Sequence, residues 1–329
     1  MITMRDVAKK AGVSVATVSR IMNGKGKAGT ETIARVNQVI EELNYKPNAI
    51  AKSLSERKSN LIALLVPTLS NPFFPELVRE IEMEANRQGY RIFLCNSDDD
   101  RDKVEYYLNS MIDHYVSGAI INSLHVGKKD LDSLEERGIR TITIDRANFE
   151  HPYSNIIVDH QFGGQIAVSH LMNKKNRKKI VFISGPKHEK SSQDRLAGFY
   201  SALEKLEEKT ETKIVYSDFS VDDGYEAIKR LLKQSETFDS IFSSNDAMAI
   251  GAMRACYEYG LKIPEDVSIV GYDNIQMASF VQPPLSTVDQ HKQDIGAKAV
   301  DELIRLLNDE QAKPKQYRLK PVLIPRRTS

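Results

Sequence analysis

The sequence has few of the features that mark secreted, membrane-spanning or disulfide-rich proteins. It contains no tryptophan and only 2 cysteines among 329 residues, and Cys95 and Cys256 are not at metal-binding spacing. Each lies beside a predicted core element, so we expect two buried free thiols in a reducing compartment. No apolar run is long enough to cross a bilayer. The first residues enter a helical pattern without a secretory signal, which favours a cytoplasmic protein.

Signs of catalysis are equally few. The 7 histidines are scattered, and no pair has the helical spacing of a zinc protease. The sequence also has no nucleophile-elbow motif and no dinucleotide-binding fingerprint. We therefore expect no metal, no cofactor and no enzymatic activity, and an enzyme acting on sugars is the least favoured interpretation.

The charge that is present is unevenly distributed. Residues 1–60 hold 11 lysines and arginines against 5 aspartates and glutamates, although the whole chain has a net charge of only +1. The length allows two or three domains. A basic head on a mildly acidic body indicates a small nucleic-acid-binding module joined to a larger domain.

Residues 4–23 predict two short helices joined by a tight turn. Thr3 and Asp6 form a capping-box pattern at the start of the first helix. Gly12 can end that helix in a left-handed conformation, and Ser14 can cap the next one. The spacing predicts a helix-turn-helix, although an ordinary amphipathic helix pair has the same pattern.

At about 100° per residue, the second helix has one apolar side and one side of small residues, which we call the thin side. Val18, Ile21 and Met22 lie on the apolar side, whereas Val15, Ala16, Ser19 and Arg20 lie on the thin one. A thin face with one arginine suits the major groove, where a guanidinium can bond guanine. The alternative is a solvated arginine on a surface helix.

A third helix is predicted from about Glu31 to Leu43, after a flexible basic loop that suits phosphate contact. Residues 45–48 break that helix, and Asn48 can cap a short segment that runs to Glu56. A helix this short is marginal in water unless it is docked on a partner. The alternative is a plain linker.

From Leu61 onward, apolar strands alternate with amphipathic helices, which predicts α/β lobes with covered parallel sheets. We predict one lobe from residues 60–159 and 290–320, and another from 160–289 and 321–329. The predicted strands are Ile62–Val66, Arg91–Cys95, Gly118–Asn122, Thr141–Asp145, Asn155–Val158, Ile180–Ser184, Lys213–Tyr216, Ser240–Ser243, Val267–Gly271 and a last one within Pro321–Pro325. The segment Asp289–Leu307 is expected to return to the first lobe.

Polar and aromatic residues follow several of these strands, where two facing lobes would form a cleft. Carboxylates and a guanidinium can each make two bonds to vicinal hydroxyls, and phenylalanine can cover the CH face of a sugar ring. Singly, each has a structural alternative: Phe73 and Phe74 can close a core, Asp145 and Arg146 can pair locally, and Asp246 can cap a helix. Together at strand ends they favour a ligand site.

The N-terminal motifs resemble the DNA-binding headpiece of the lactose repressor family. The matching residues are Asp6-Val7-Ala8, Ala11-Gly12-Val13-Ser14, Thr17-Val18-Ser19-Arg20, Asn23 and Leu43-Asn44-Tyr45-Lys46-Pro47-Asn48. The resemblance implies a headpiece over residues 1–58 with a hinge helix at 48–56, in which Leu54 wedges into the minor groove. The DNA-binding residues it implies are Thr3, Ser14, Val15, Ala16, Thr17, Ser19, Arg20, Asn23, Lys27, Gly29, Thr32, Tyr45, Asn48, Ala51 and Leu54.

The body resembles the periplasmic sugar-binding proteins, whose architecture that family shares. The implied effector-binding residues are Asn71, Phe73, Phe74, Asp145, Arg146, Arg195, Phe219, Asn245, Asp273 and Gln290, a set similar to that of ribose-binding proteins. The resemblance implies a homodimeric repressor that binds palindromic operator DNA and releases it when a pentose binds. No leucine heptad follows Pro325, so we expect a dimer rather than a tetramer.

Three other functions stay open at this point. One is a catabolite regulator controlled by a phosphorylated carrier protein, and another is a repressor that needs a purine corepressor. A periplasmic sugar carrier is the third, and the headpiece argues against it.

Overall fold

The computed structural model describes residues 2–22, 28–45, 59–145, 149–173, 177–206 and 209–329. The chain divides into two compact units, Met1–Ser59 and Asn60–Ser329. Six of the predicted contact residues lie outside the described residues: Asn23, Lys27, Asn48, Ala51, Leu54 and Arg146. The predicted hinge helix lies outside them as well.

In the described part of the N-terminal unit there are three helices, α1 Met4–Ala11, α2 Val15–Met22 and α3 Thr30–Glu42. The predicted capping box is present, since the Thr3 side chain accepts from the Asp6 backbone and the Asp6 side chain accepts from Thr3. Gly12 ends α1 with φ of 65°, in the left-handed region that glycine favours. Ser14 Oγ accepts from Thr17 N at 3.1 Å, so it caps α2 as expected.

A small apolar core holds the three helices together. Val7, Val18 and Val36 are fully buried, one from each helix. Around them pack further apolar residues, including Ala8, Ala11, Val39, Ile21, Met22, Ile40, Leu43 and Tyr45. The apolar side of α2 therefore faces this core, and its opposite side is left for other contacts.

The described residues of the second unit form two six-stranded sheets, and each belongs to one lobe. The first sheet has the order β11-β5-β4-β3-β1-β2, and all its pairs are parallel. Its strands are β1 Leu61–Val66, β2 Arg91–Asn96, β3 Gly118–Ile121, β4 Arg140–Ile144, β5 Ser154–Val158 and β11 Gln316–Leu319. Continuous apolar runs such as Leu61–Val66 suit strands that are covered on both faces.

The second sheet has the order β12-β10-β9-β8-β6-β7 and is parallel except at one edge, where β12 is antiparallel to β10. Its strands are β6 Lys179–Ser184, β7 Glu211–Tyr216, β8 Ser240–Ser243, β9 Ser268–Tyr272, β10 Ser286–Asp289 and β12 Val322–Ile324. The α/β class and the two lobes with parallel sheets are thus confirmed.

Helices cover both sheets. Within the described residues of the second unit they are α4 Phe73–Arg87, α5 Arg101–Asp113, α6 Lys128–Glu136, α7 His160–Met172, α8 Lys190–Leu203, α9 Val221–Lys233, α10 Asp246–Glu258 and α11 Lys292–Asn308, with a short 3₁₀ helix at Gln276–Ser279. Apolar residues at helical spacing, such as Leu77, Ile81 and Ala85 of α4, are fully buried.

The chain crosses between the lobes several times. After β10 it returns to the first lobe, where α11 packs against α4 and strands β3 and β4. Strand β11 then joins the first sheet beside β5, and β12 joins the second sheet. The predicted return of Asp289–Leu307 and the last strand within Pro321–Pro325 are both present.

The structure also bears on the two cysteines, on the length of the apolar helices and on metal-ligating clusters. Cys95 and Cys256 are free and buried, and burial raises the pKa of each thiol to about 12. No helix in the described part of the chain is both long and apolar enough to cross a lipid bilayer. Within the same ranges, no cluster of three or more His, Cys, Asp or Glu residues could hold a metal ion.

Candidate ligand-binding cleft

A cavity of about 300 Å³ lies between the two lobes of the second unit. Its walls come from segments that follow strands β1 to β5 in the first lobe, and β6, β7, β9 and β10 in the second. Parallel strands put their carboxyl ends at one edge of a sheet, so two facing sheets concentrate loop side chains here. The predicted residues that line it are Asn71, Phe73, Phe74, Asp145, Arg195, Phe219, Asp273 and Gln290.

Aromatic rings line the cavity from both lobes. Phe73 and Phe74 contact each other edge to face, with their centroids 5.3 Å apart. Asn71 Oδ1 accepts from Phe73 N at 3.1 Å and so fixes the first turn of α4. Phe219 enters from the loop between β7 and α9. The cavity therefore offers apolar ring faces to a ligand on two sides.

Three cavity residues have left-handed backbones although none is glycine. The φ angles are 52° at Asp145, 71° at Phe219 and 107° at Asp273. Such conformations cost free energy and persist where the surrounding structure enforces them, often at functional sites. At Asp145 the enforcing bond comes from Val158, whose N–H donates to Oδ1 at 2.6 Å.

Arg195 is a buried cation of the second lobe, with 5 % of its surface exposed. Its guanidinium lies 3.9 Å above the ring centroid of Tyr272, and Nη1 donates to the Ser244 carbonyl at 2.6 Å. Arg195 Nε has no hydrogen-bond partner among the described protein atoms, and neither has Asn122 Oδ1 in the cavity wall. These polar atoms can bond a ligand that carries hydroxyls.

Asp273 lies opposite Arg195, whose Nη2 is 4.0 Å from Asp273 Oδ1. Gln290 Nε2 donates to the same oxygen at 2.5 Å. Burial raises the pKa of Asp273 to about 6, although Arg195 and Lys292 favour its charged form. The carboxylate and its partners form a preorganised set of donors and acceptors.

Asn245 is the predicted effector residue whose side chain has another use. Its Oδ1 caps α10 by accepting from Met248 N at 2.8 Å, and its Nδ2 donates to the Phe219 carbonyl at 2.9 Å. Among the described residues, Asn245 is not part of the cavity wall. Both of its polar atoms are therefore already bonded, and one of these bonds supports the backbone of Phe219.

Asp246 does not cap this helix, so the expectation that it would was wrong. It is the first residue of α10 and is fully buried. It accepts from Thr287 Oγ1 at 2.6 Å and from Ile275 N at 2.9 Å. Burial, and then the nearby Asp273 carboxyl, raise its pKa well above the usual value.

The sequence prediction missed several residues that line the cavity. Among the polar ones are His160, Asn122, Asp99, His188 and Asp218. Asp99, Asn122, His188 and Asp218 all follow strands closely, which could have indicated them. His160 follows β5 by two residues and begins α7, so the same rule could have indicated it as well.

In the headpiece, the thin side of α2 is accessible as predicted. Val15 is 41 % exposed, and Ala16 and Arg20 are exposed beside it. Arg20 Nε donates to the Ala16 carbonyl at 3.3 Å, along its own helix. Four other predicted contact residues have local roles in the structure: Thr3 and Ser14 cap helices, Thr17 bonds Ser14, and Tyr45 packs on the core.

Comparison with known proteins agrees with this architecture. Residues 3–48 match the model for bacterial regulatory proteins of the lacI family, and residues 168–329 match that for a periplasmic binding protein-like domain. The ribose operon repressor of Halalkalibacterium halodurans is 37% identical over 100% of this chain and 97% of its own length. This chain belongs to the lacI family of bacterial regulatory proteins.

Other relatives of this LacI-family regulator agree over most of its length. The HTH-type transcriptional repressor PurR of Pasteurella multocida is 34% identical over 100% of this chain and 98% of its own. The lac repressor dimer bound to operator and the anti-inducer ONPF superposes with a TM-score of 0.88, at 29% identity, over 99% of this chain and 98% of that one.

A LacI-family regulator of Enterococcus faecalis with bound ribose has a TM-score of 0.73 and 31% identity, over 82% of this chain and 98% of its own. The family and the headpiece together establish a DNA-binding transcription regulator.

Proposed function

We propose that this regulator represses transcription by binding a palindromic operator as a homodimer, and that a free pentose, ribose above all, releases it. The observation that carries the proposal is the composition of the cavity, with aromatic faces from both lobes around Asp145, Arg195 and Asp273. A pentose fits this chemistry, since its hydroxyls donate and accept while its ring carbons are apolar.

The size and charge of the cavity favour an unphosphorylated sugar. About 300 Å³ is ample for one small ring. Among the described lining residues, Asp99, Asp145, Glu189, Asp218 and Asp273 carry carboxyl groups, whereas Arg195 is the one arginine and no lysine is present. A phosphate group brings up to two further negative charges and would meet net repulsion.

The headpiece supports the DNA-binding half of the proposal. The exposed side of α2 is narrow enough to enter the major groove, where Val15, Ala16 and Arg20 would contact base edges. Two copies related by a twofold axis would contact two half-sites, which makes the operator palindromic. The hinge role of residues 48–56, including Leu54, rests on the resemblance alone.

The sugar site and the operator-binding site are coupled because the dimer has two arrangements that differ in their affinity for sugar. A sugar held by both lobes favours the arrangement in which they grip it. We propose that this arrangement separates the paired hinge segments and weakens the minor-groove contact. The regulator acts in the cytoplasm, where both operator and sugar are present.

A purine corepressor is a second candidate, because aromatic rings on two sides of a cavity can also stack a nucleobase. The relative named PurR gives this candidate additional support. The excess of carboxylates favours a polyhydroxyl ligand over it. Control by a phosphorylated carrier protein stays a prediction without support from these observations.

The effector is tested by calorimetric titration of the full chain with ribose, xylose, arabinose, ribose 5-phosphate and hypoxanthine. We expect saturable binding of ribose that is stronger than that of any other compound in the panel, and no binding by a Phe219→Ala variant. Binding of hypoxanthine or ribose 5-phosphate in preference to ribose would contradict the proposed effector.

A further inference from the structure

We propose that His160 is a positioning residue of the cavity: a neutral imidazole, with its proton on Nε2, that keeps Asp145 and Arg195 apart and oriented for the ligand. This inference rests on the proposed function, since it assigns a role within the same sugar site. His160 opens α7, lines the cavity and is only 6 % exposed. A polar ring so deeply buried needs partners on both nitrogens.

The partners of Nδ1 assign the tautomer. Arg195 Nη2 lies 3.3 Å from His160 Nδ1, and the Tyr272 hydroxyl lies 3.1 Å from it. A guanidinium has only donors, so Nδ1 must accept and carries no proton. The single proton of a neutral ring is then on Nε2. A doubly protonated ring would direct an N–H at the Arg195 cation.

The proton on Nε2 faces the other lobe's carboxylate. Nε2 lies 3.6 Å from Asp145 Oδ2, while the other oxygen of Asp145 is held by the backbone of Val158. The two ring nitrogens diverge, so the imidazole lies between Asp145 of the first lobe, in electrostatic contact at 3.6 Å, and Arg195 of the second, in hydrogen-bond contact at 3.3 Å. Without it, the two opposite charges could pair with each other and would present fewer free donors and acceptors to a sugar.

Two glycines of α7 fix the position of this link. A Cβ at Gly163 would lie 2.2 Å from the Tyr272 hydroxyl, and one at Gly164 would lie 2.4 Å from the Arg195 carbonyl oxygen. The helix that carries His160 therefore packs directly against both of the ring's second-lobe partners. This close packing fixes the start of α7, and with it the backbone of His160, relative to Arg195 and Tyr272.

Three variants separate positioning from packing. His160→Asn keeps an acceptor near the place of Nδ1, His160→Gln keeps a donor near Nε2, and His160→Leu keeps only volume. Calorimetry of the full chain with ribose should show a loss of about 10-fold for Asn and for Gln and about 100-fold for Leu, because each polar link to a charged group is lost in turn. A Leu variant that binds ribose as well as the Asn and Gln variants would overturn the proposal.

Nitrogen NMR of the imidazoles, recorded without sugar, tests the tautomer directly. The resonances that vanish in His160→Leu but persist in the exposed His114→Leu control belong to His160. We expect a protonated Nε2 and an unprotonated Nδ1, and the reverse or a doubly protonated ring would refute the role. If the wild-type chain binds no pentose, the proposed function fails, while this spectrum still decides the tautomer on which the inference depends.

Discussion

Glu76 of the first lobe is hydrogen-bonded to the backbone of Gln276 in the second, with Oε1 2.7 Å from the amide nitrogen. Lys292, at the start of α11, lies 3.4 Å from the other oxygen of Glu76. The same ammonium donates to the carbonyl oxygens of Asp273 at 2.5 Å and Asn274 at 2.8 Å. The Glu76 carboxylate of the first lobe is thus connected, through Lys292, to the backbone of Asp273, a cavity residue of the second lobe.

This interlobe link predicts a local change in hydrogen exchange. In a Glu76→Ala variant, the Gln276 amide loses its acceptor and should exchange faster with solvent, by about 5-fold to 10-fold for a bond that contributes about 1 kcal/mol. Glu82→Ala, an exposed carboxylate on the same helix, serves as the control. Equal protection of Gln276 in the wild type and in Glu76→Ala would show that the bond does not hold the lobes in solution.

Gly185 packs closely against Phe219, so we expect a single methyl group added at Gly185 to weaken ligand binding. A Cβ at Gly185 would lie 2.1 Å from the Phe219 ring, so Gly185→Ala must displace a wall of the cavity. Overpacking of this kind costs about 1–3 kcal/mol, and we expect ribose affinity to fall by about 10-fold or more. At Gly127 an added Cβ makes only an ordinary contact at 3.7 Å, so Gly127→Ala is the matched control. Wild-type ribose affinity in Gly185→Ala would contradict this geometry.

The raised pKa of Asp273 predicts how the free energy of unfolding depends on pH. Burial raises its folded pKa to about 6 from 3.8, so folding favours the protonated carboxyl. Its contribution is fully present below pH 3.8 and is lost as the pH rises through about 6. Asp273→Asn removes this dependence, and its free energy of unfolding should rise relative to wild type between pH 4 and 7, by at most about 3 kcal/mol.

Urea unfolding at a series of pH values measures that difference, with Asp102→Asn as an exposed control. A constant difference between Asp273→Asn and wild type across this range would mean that Asp273 does not titrate as described.

The exposed position of Arg20 on α2 predicts that this side chain contributes to the sequence specificity of DNA binding. Arg20→Ala should lower affinity for an operator selected from random duplexes by about 10-fold to 100-fold, since a bidentate contact to a base contributes about 1–3 kcal/mol. Arg35→Ala on α3 removes the same charge and is the control. If the two variants lose affinity equally on operator and on unrelated DNA, Arg20 contributes charge but no base recognition.

Regular apolar patterns made most of the fold predictable. Long buried strands such as β1 and β6 were placed within one residue of their observed ends. The strands β10 and β11 were missed because each has four residues and mixes polar with apolar ones, which gives no clear period. Both lie at crossings between the lobes, where tertiary pairing rather than local preference forms the strand.

Part of the cavity could be predicted because several of its residues directly follow strands. A strand end can be placed from sequence, so Asp145, Phe219 and Asp273 could be assigned to the cleft. Their left-handed backbones could not be predicted, because aspartate adopts that conformation only in a minority of cases and phenylalanine more rarely still. The bond from Asn245 to the Phe219 carbonyl and the buried position of His160 could not be predicted either, because both depend on residues far away in the sequence.

The most direct test of the account is the effect of ribose on operator affinity, measured by fluorescence anisotropy of labelled operator with the full chain. We predict that saturating ribose weakens operator binding by about 10-fold or more, within the usual range of coupling between two sites. Asp145→Ala and Phe219→Ala should bind operator but show no response to ribose. Operator affinity that is unchanged or increased by ribose, or release by ribose in both variants, would contradict the account.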